Sequence, residues 1–327
     1  MQTLVTGGAG FIGSHYIRTL LGDVGNRRTR VRVLDALTYA GNKSNLDPVI
    51  DDPRLELVHD DVRDSAAVRK AVRGADLVVH FAAESHVDRS IDAGDNFVTT
   101  NVGGTFTLLQ AAVEQGVRRF VHVSTDEVYG SVESGRSTES DQLLPNSPYA
   151  ASKASSDMLA RSFHRTYGLG VCITRCSNNY GPYQHPEKVI PRFVTTLLEG
   201  GEVPLYGDGG NVRDWLHVDD HCTAVRLVAE RGRPGEVYNI GGGAALSNVE
   251  LTDRLLDAVG ADWSRVRQVP DRPGHDRRYA VDDRKIRVEL GYRPSVPLAE
   301  GLRETVRWYR ENRAWWSPTI QALTGTE

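Results

Sequence analysis

Tyr149 and Lys153 stand four residues apart, downstream of a run of hydroxyl and carboxyl side chains, Ser124-Thr125-Asp126-Glu127. On a helix, residues i and i+4 share one face about a turn apart. An ammonium beside a phenol can lower its pKa from the usual ~10 and make Tyr149 a base near neutral pH. With a nicotinamide cofactor, such a dyad oxidises alcohols. The carboxylates Asp126 and Glu127 add a second capacity, proton transfer at carbons that the hydride never touches. An alcohol oxidation does not require that; an elimination does. Lys153 gains weight from its background, because the chain has only five lysines, Lys43, Lys70, Lys153, Lys188 and Lys285, and otherwise uses arginine. Arginine cannot serve as a compact, tunable cation. Alone, a Y-x-x-x-K match reads more often as a solvated lysine beside a half-buried tyrosine; the surrounding motifs reverse those odds.

The elements that must position these groups read as alternating strands and helices, the signature of a parallel sheet covered on both faces. The expected strands are Thr3–Thr6, Arg30–Leu34, Leu55–His59, Leu77–Phe81, Arg119–Ser124 and Val171–Arg175. The expected helices are Phe11–Leu21, Ala66–Val72, Phe97–Glu114 and Pro148–Thr166, with a later amphipathic helix at Gly301–Asn312. The fold class is therefore α/β: a doubly wound parallel (Rossmann) sheet over residues 1–181, with a smaller C-terminal substrate-binding lobe over 182–327 from which later segments return to the sheet. In such sheets ligands bind outside the carboxyl ends of the strands. Gly7, Asp35, Asp61, Ala82–His86, Thr125 and Ser177-Asn178-Asn179 follow successive strands, so the candidate chemical residues gather at one edge.

The first strand opens into Gly7-Gly8-Ala9-Gly10-Phe11-Ile12-Gly13. Glycines at this spacing, between a strand and a helix, let backbone N–H groups approach a pyrophosphate. Asp35, about 20 residues on, is placed to accept from the adenosine ribose hydroxyls, and its charge repels a 2′-phosphate, which favours NAD over NADP. Asp61 and Val62, after the third strand, are placed beside adenine.

The chain has 327 residues and a net charge of −4, with no basic patch interleaved with aromatics, so nucleic-acid binding is not expected. No apolar run approaches the ~20 residues of a membrane span, and Met1 leads straight into a strand; cytoplasm is the expected location. Cys172, Cys176 and Cys222 match neither a disulfide framework nor a zinc spacing, and the histidines show no ligand pairing, so no metal is expected. Trp315-Trp316, beyond the last helix, read as packing residues.

Taken together these motifs resemble the extended short-chain dehydrogenase/reductase superfamily and, more narrowly, the dTDP-glucose 4,6-dehydratases. The resemblance spans Gly7–Gly13, Asp35–Asn42, Phe81–Ser90, Ser124–Gly130, Ser147–Lys153, Ser177–Lys188 and Asp271–His275. Ser-Thr-Asp-Glu-Val-Tyr-Gly and Asn-Asn-Tyr-Gly-Pro-Tyr-Gln-His-Pro-Glu-Lys are its most specific parts. It implies a tightly bound NAD, regenerated each cycle, held by Gly7, Gly10, Phe11, Ile12, Gly13, Asp35, Leu37, Thr38, Asp61, Val62, Phe81, Ala82, Ala83, Ser85, Thr100, Tyr149, Lys153 and Asn179. It also implies catalysis by Thr125, Asp126, Glu127, Tyr149 and Lys153. Tyr149, assisted by Lys153 and Thr125, takes the glucose 4-hydroxyl proton as hydride leaves C4. Glu127 then abstracts the C5 proton as Asp126 protonates the departing 6-hydroxyl, and hydride returns to C6. Like charges side by side tend to split their pKa values, as an acid–base pair requires. For dTDP-glucose the resemblance implies contacts from Ser85, His86, Thr125, Asn178, Asn179 (through a helix N-terminal amide), Lys188, Val189, Pro204, Leu205, Tyr206, Arg213, Asn248, Arg272 and His275. Arginine's fork suits the diphosphate.

The resemblance further implies a homodimer through a four-helix bundle of Asn101–Glu114 and Tyr149–Thr166, although those apolar faces could equally pack on the sheet alone. A nucleotide-sugar 4-epimerase would share the dyad but has no use for the Asp126–Glu127 pair. A 4,6-dehydratase of another nucleotide-sugar remains a reading of the same motifs. A non-catalytic NAD-sensing regulator has no reason to retain Tyr149, Lys153, Asp126 and Glu127 together.

Overall fold

β-Branched runs in the first half of the chain lie side by side as neighbours in one parallel sheet. The computed structural model describes residues 1–271 and 274–324; Arg272 of the expected substrate set lies outside the described residues. In chain order the strands are β1 (Gln2–Thr6), β2 (Arg30–Asp35), β3 (Leu55–His59), β4 (Leu77–His80), β5 (Arg119–Thr125), β6 (Val171–Cys176), β7 (Asn178–Tyr180), β8 (Val203–Tyr206), β9 (Val212–His217), β10 (Val237–Ile240), β11 (Ala245–Ser247) and β12 (Val266–Val269). The main sheet has seven strands in the order β10-β6-β5-β4-β1-β2-β3, all parallel. Six of the seven were expected to within two residues. The seventh, β10, was not, because Val-Tyr-Asn-Ile is short and follows a glycine-proline stretch in the half assigned to the second lobe.

Alternate residues of each strand face opposite layers. Val5, Val33, Val79 and Val121 pack with Tyr16 and Ile17 from helix Phe11–Gly22 and with Val225 and Val228 from helix Val218–Arg231. Leu4, Leu34, Val78 and Phe120 pack with Leu108 and Leu109 of helix Thr105–Glu114 and with Ala160 and Phe163 of helix Pro148–Tyr167. Each such buried side chain contributes about 1.5–3 kcal/mol. The sheet edge that carries the site is thus clamped from both sides.

The stretch expected as one helix over Phe97–Glu114 is not continuous. Helix Gly94–Phe97 passes into a π-helical segment, Val98–Gly104, before the α-helix resumes at Thr105. The β-branched Val98-Thr99-Thr100 and the paired glycines Gly103-Gly104 weaken regular helix here. Gly104 also lies against the turn after β3, where a Cβ would fall 2.6 Å from Val62 Cγ2. Such bulges are frequent at functional sites. Here the buried Asn101 clamps the loop after β4, accepting from Glu84 N at 2.8 Å and donating to Glu84 O at 3.0 Å.

A second core holds the C-terminal lobe: Ile190, Phe193 and Leu197 of helix Val189–Leu198 meet Trp215, Leu251, Leu255, Leu302, Val306, Tyr309 and Trp316. Two small sheets, β11-β9-β7 and β12-β8, belong to it. β10 and helix Arg284–Leu290, whose Ile286 and Leu290 join the first core, return to the main sheet. Cys172, Cys176 and Cys222 are buried free thiols. No described helix is long and apolar enough to cross a membrane.

Candidate active site

Thr125 ends β5, and the chain turns at once through a single 3-10 turn, Asp126–Tyr129. The Thr125 hydroxyl starts the turn by accepting from Glu127 N at 3.3 Å and also contacts Asp126 Oδ1 at 3.4 Å. Gly130 closes it at φ 76°, where a Cβ would sit 2.1 Å from the Leu144 carbonyl oxygen, so the turn requires glycine. The facing helix, Pro148–Tyr167, begins with Ser147 capping Ala150 N at 3.1 Å and proline in its first turn, and ends at left-handed Gly168. Tyr149 is therefore in the first turn of a well-anchored helix, with Lys153 one turn further in.

These groups share a cavity of about 490 Å³ at the carboxyl ends of the strands. Thr125, Asp126, Glu127, Tyr149 and Lys153 all line it. So do Gly7, Gly10, Phe11, Ile12, Gly13, Asp35, Thr38, Asp61, Val62, Phe81, Ala82, Ala83, Ser85, Thr100 and Asn179 of the expected cofactor set, and Asn178 and Lys188 of the expected substrate set. Leu37 faces a neighbouring cavity.

Asp126 is 3% exposed and its carboxyl is held protonated well above the ordinary carboxylate range, first by burial and second by the charge of Glu127. Its Oδ2 has no hydrogen-bond partner. A carboxyl kept protonated in this way is what the general acid of such a pair needs. Tyr149 departs from the sequence expectation. Its phenol is raised well above its usual range by burial and by Glu127, while a hydrogen bond with Thr125 pulls the other way. Lys153 does not offset this, because its Nζ donates to the Val123 carbonyl at 2.8 Å. Burial lowers Lys153 to about 8, and the Asp157 carboxylate, one further turn along the helix, works against that fall. Asp157 is fully buried, pairs with Arg175 at 2.8 Å and His122 at 3.4 Å, and is itself lowered to about 2 although burial pushes it up.

The glycine-rich turn fits a dinucleotide. A Cβ at Gly7 would come within 2.6 Å of Ala82 N, and one at Gly13 within 2.2 Å of Gly7 O, so strand end, turn and helix pack in direct contact. Gly10 lines the cavity just where the helix begins, and backbone N–H groups at such a terminus suit phosphate. Asp35 is 7% exposed and accepts from Ala9 N and Leu37 N, each at 2.8 Å, which fixes its carboxylate at the end of β2. Asp61 is ion-paired with Arg63 at 2.7 Å, and both line the cavity. Among the described residues no group of three histidine, cysteine or acidic side chains has a metal-holding arrangement.

The expected substrate residues form two sets. Asn178 leaves its buried Oδ1 without a partner toward the cavity wall it belongs to, and Lys188 Nζ donates to Ser85 O at 2.7 Å. Val189 opens the following helix, whose N-cap is Lys188, and His86 caps helix Val87–Asp92. Pro204, Leu205 and Tyr206 lie on β8, with Asn248 at the start of helix Asn248–Val259; these stand outside the cavity, on the C-terminal lobe. Arg213 also stands outside it, 7% exposed and stacked 4.3 Å from the Tyr279 ring, and His275 pairs with Asp271 at 2.6 Å. Asn179 requires a correction. It lies on β7, not at a helix N-terminus, and its side chain is engaged internally, donating to Ser177 O at 2.9 Å and bonding His221 Nδ1 at 2.8 Å.

Sequence reasoning passed over Glu84, Arg63, Gln184, His185 and Glu187, all of which line the cavity. Glu84 and Glu187 lie within strand-end motifs that were singled out, and that position was the available signal. Gln184 and His185 lie in the same Ser177–Lys188 motif as Glu187.

A parallel sheet ordered 3-2-1-4-5-6, a glycine-rich turn, and a Tyr–Lys helix facing the end of β5 define an extended short-chain dehydrogenase/reductase. A family model described as GDP-mannose 4,6 dehydratase matches residues 4–305. The chain is 60% identical over 319 residues to a dTDP-glucose 4,6-dehydratase of Streptomyces griseus, covering 98% of this chain and 97% of that one. DesIV, a dTDP-glucose 4,6-dehydratase from Streptomyces venezuelae crystallised with NAD, superposes with a TM-score of 0.95 at 64% identity, covering 98% of this chain and 100% of DesIV. The NAD complex of a Bacillus anthracis dTDP-glucose 4,6-dehydratase gives a TM-score of 0.90 at 46% identity, over 98% and 99% of the two chains. The chain belongs to the dTDP-glucose 4,6-dehydratase family.

Proposed function

We infer that the protein is an NAD-dependent hydro-lyase that converts dTDP-glucose to dTDP-4-keto-6-deoxyglucose. When bound, NAD supplies the hydride acceptor for C4 and the hydride donor for C6. The residues of the chain supply everything else. Phe11 and Ile12 present backbone N–H groups at a helix start, and Asp35 offers a fixed carboxylate to ribose hydroxyls. Tyr149 takes the proton of the 4-hydroxyl. The cavity around it is buried, so a cation beside the phenol acts at low dielectric and counters the burial that otherwise keeps it neutral. Lys153, lowered to about 8, is still a cation at neutral pH, and to act on Tyr149 its Nζ has to leave the Val123 carbonyl that it bonds in this structure. Glu127 abstracts the C5 proton, and Asp126 donates to the departing 6-hydroxyl oxygen.

The observation that carries this reading is the placement of Asp126, a buried acid beside Glu127 in the same cavity as Tyr149, kept protonated first by burial and second by the Glu127 charge. A 4-epimerase would need neither carboxyl. Val189, Pro204–Tyr206, Asn248, Arg213 and His275 form the nucleotide-binding side of the C-terminal lobe, which supports a division near residue 181 with β10 returned to the sheet. Incubation with dTDP-, UDP- and GDP-sugars in parallel, followed by NMR, tests the reading. A 4-keto-6-deoxy product from dTDP-glucose alone is expected; a dTDP-galactose product would overturn it.

The chain pairs as a homodimer through helices Thr105–Glu114 and Pro148–Tyr167. Phe106, Met158 and Tyr167 support this, since all three are exposed apolar side chains on these two helices, more than isolated surface residues explain. The three free thiols and a nucleotide-sugar substrate favour the cytoplasm.

A further inference from the structure

The tryptophans beyond the last long helix do more than fill space. Helix Arg313–Thr324 brings Trp315 against the loop that follows β2, and Trp315 Nε1 donates to Asn45 Oδ1 at 3.0 Å. Asn45 is 2% exposed, and its amide donates in turn to the Ala9 carbonyl in the glycine-rich turn at 2.9 Å. Ala9 is gripped twice more, by Asn42 N at 3.0 Å on the same carbonyl and through its own N–H to Asp35 Oδ2 at 2.8 Å. A second line runs parallel to the first. Arg18 donates to the Asn45 carbonyl at 2.6 Å and stacks 4.2 Å from the Tyr183 ring, which packs against Trp308 at 4.5 Å and Trp315 at 5.7 Å.

The loop held this way is not supported by packing alone. Between it and helix Arg313–Thr324 lies a separate cavity of about 220 Å³, lined by Leu37, Asn42, Asn45, Tyr183, Trp315 and Thr319 among others. Leu37 at φ 48° and Tyr183 at φ 68°, the two non-glycine residues with left-handed backbone among the described residues, stand in its wall. Such conformations persist only where surrounding contacts over-determine them. The loop is anchored in the core through Leu46, and on the side that faces the cavity its polar ties hold it.

We propose that Trp315 and Asn45 form a latch by which the C-terminal helix fixes the glycine-rich turn and the loop after β2 around the dinucleotide, so that NAD stays in place through the catalytic cycle. They are positioning residues; neither needs to touch substrate. The inference rests on the reading of Gly7–Gly13 and Asp35 as the NAD seat. It gives this reaction what it needs, since the hydride removed from C4 must be returned before the cofactor leaves.

The test is the exchange of bound NAD against isotopically labelled NAD in the purified protein, with NAD content measured after release. Trp315→Phe keeps the ring and removes the N–H, and exchange should quicken about fivefold, as the loss of one neutral hydrogen bond allows. Thermal unfolding should move little. Trp263→Phe removes an exposed N–H bonded to Asp253, elsewhere on the C-terminal lobe, and should leave exchange unchanged. Unaltered exchange in Trp315→Phe, or equal acceleration in both variants, overturns the latch. A measurement on the unaltered protein guards against a folding defect: coupling is reciprocal, so NAD should slow amide hydrogen exchange in residues 313–324. No protection there also overturns it. Asp35→Ala separates the two readings, because full NAD retention in that variant would refute the cofactor seat itself.

Discussion

Replacing Asp126 by asparagine should make the protein more stable and far less active, and the two effects have one cause. Folding takes a proton up at Asp126: the folded carboxyl is raised well above its ordinary value by burial and by Glu127, whereas the unfolded one ionises in the ordinary carboxylate range. The wild-type chain is therefore not penalised below that range. Above it, the chain loses about 1.4 kcal/mol of stability for each pH unit, until the raised folded value is passed. Asparagine matches the shape of the protonated acid and is neutral throughout. The stability difference between variant and wild type should thus be small at about pH 4 and grow by about 1.4 kcal/mol per unit above it. Denaturant unfolding at a series of pH values, with NAD held constant, measures this slope directly. Turnover to deoxy product should fall about 10²–10⁴-fold, the range for loss of a general acid. A stability difference that does not change with pH would refute the buried, protonated Asp126, and wild-type turnover would refute its role.

Three further outcomes follow from other parts of the site. Glu127→Gln should still oxidise C4, seen as reduced cofactor, but yield no 6-deoxy product; normal product at wild-type rate would remove Glu127 as the C5 base. Asp157→Asn removes the charge that supports Lys153, so Lys153 should fall below about 8 and the alkaline limb of kcat should move to lower pH. The same change breaks a buried pair with Arg175 and should cost about 3–5 kcal/mol of stability. That contribution is present above the ordinary carboxylate range and is lost as pH falls through about 2. Phe106→Glu, on an exposed apolar helix face, should yield monomers in sedimentation with the fold retained.

The sheet was legible because its strands are short β-branched runs, each ending in a residue that could do chemistry, and parallel strands buried on both faces must read that way. The shared face of Tyr149 and Lys153 followed from spacing, and its weight, like the roles of Asp126 and Glu127, came from the surrounding motifs. Four features were not legible. β10 depends on pairing with β6, a long-range contact absent from local pattern. The π-helical segment Val98–Gly104 follows from Gly104 meeting Val62 and Asn101 bonding Glu84, neither of which is a sequence signal. The state of Tyr149 depends on where the Lys153 ammonium goes. Spacing puts both groups on one face, but the Val123 carbonyl, on a different element, takes the lysine. Trp315 likewise read as packing because its partner, Asn45, lies 270 residues away.

In the proposed reaction one cavity moves hydride from C4 to C6 while Asp126 and Glu127 eliminate water between those steps. Supplying dTDP-glucose deuterated at C4 and locating the label by NMR tests it most directly. Deuterium is expected at C6 of a 4-keto-6-deoxy product, with a solvent-derived proton at C5. Label retained at C4 of a product that keeps its 6-hydroxyl would contradict it.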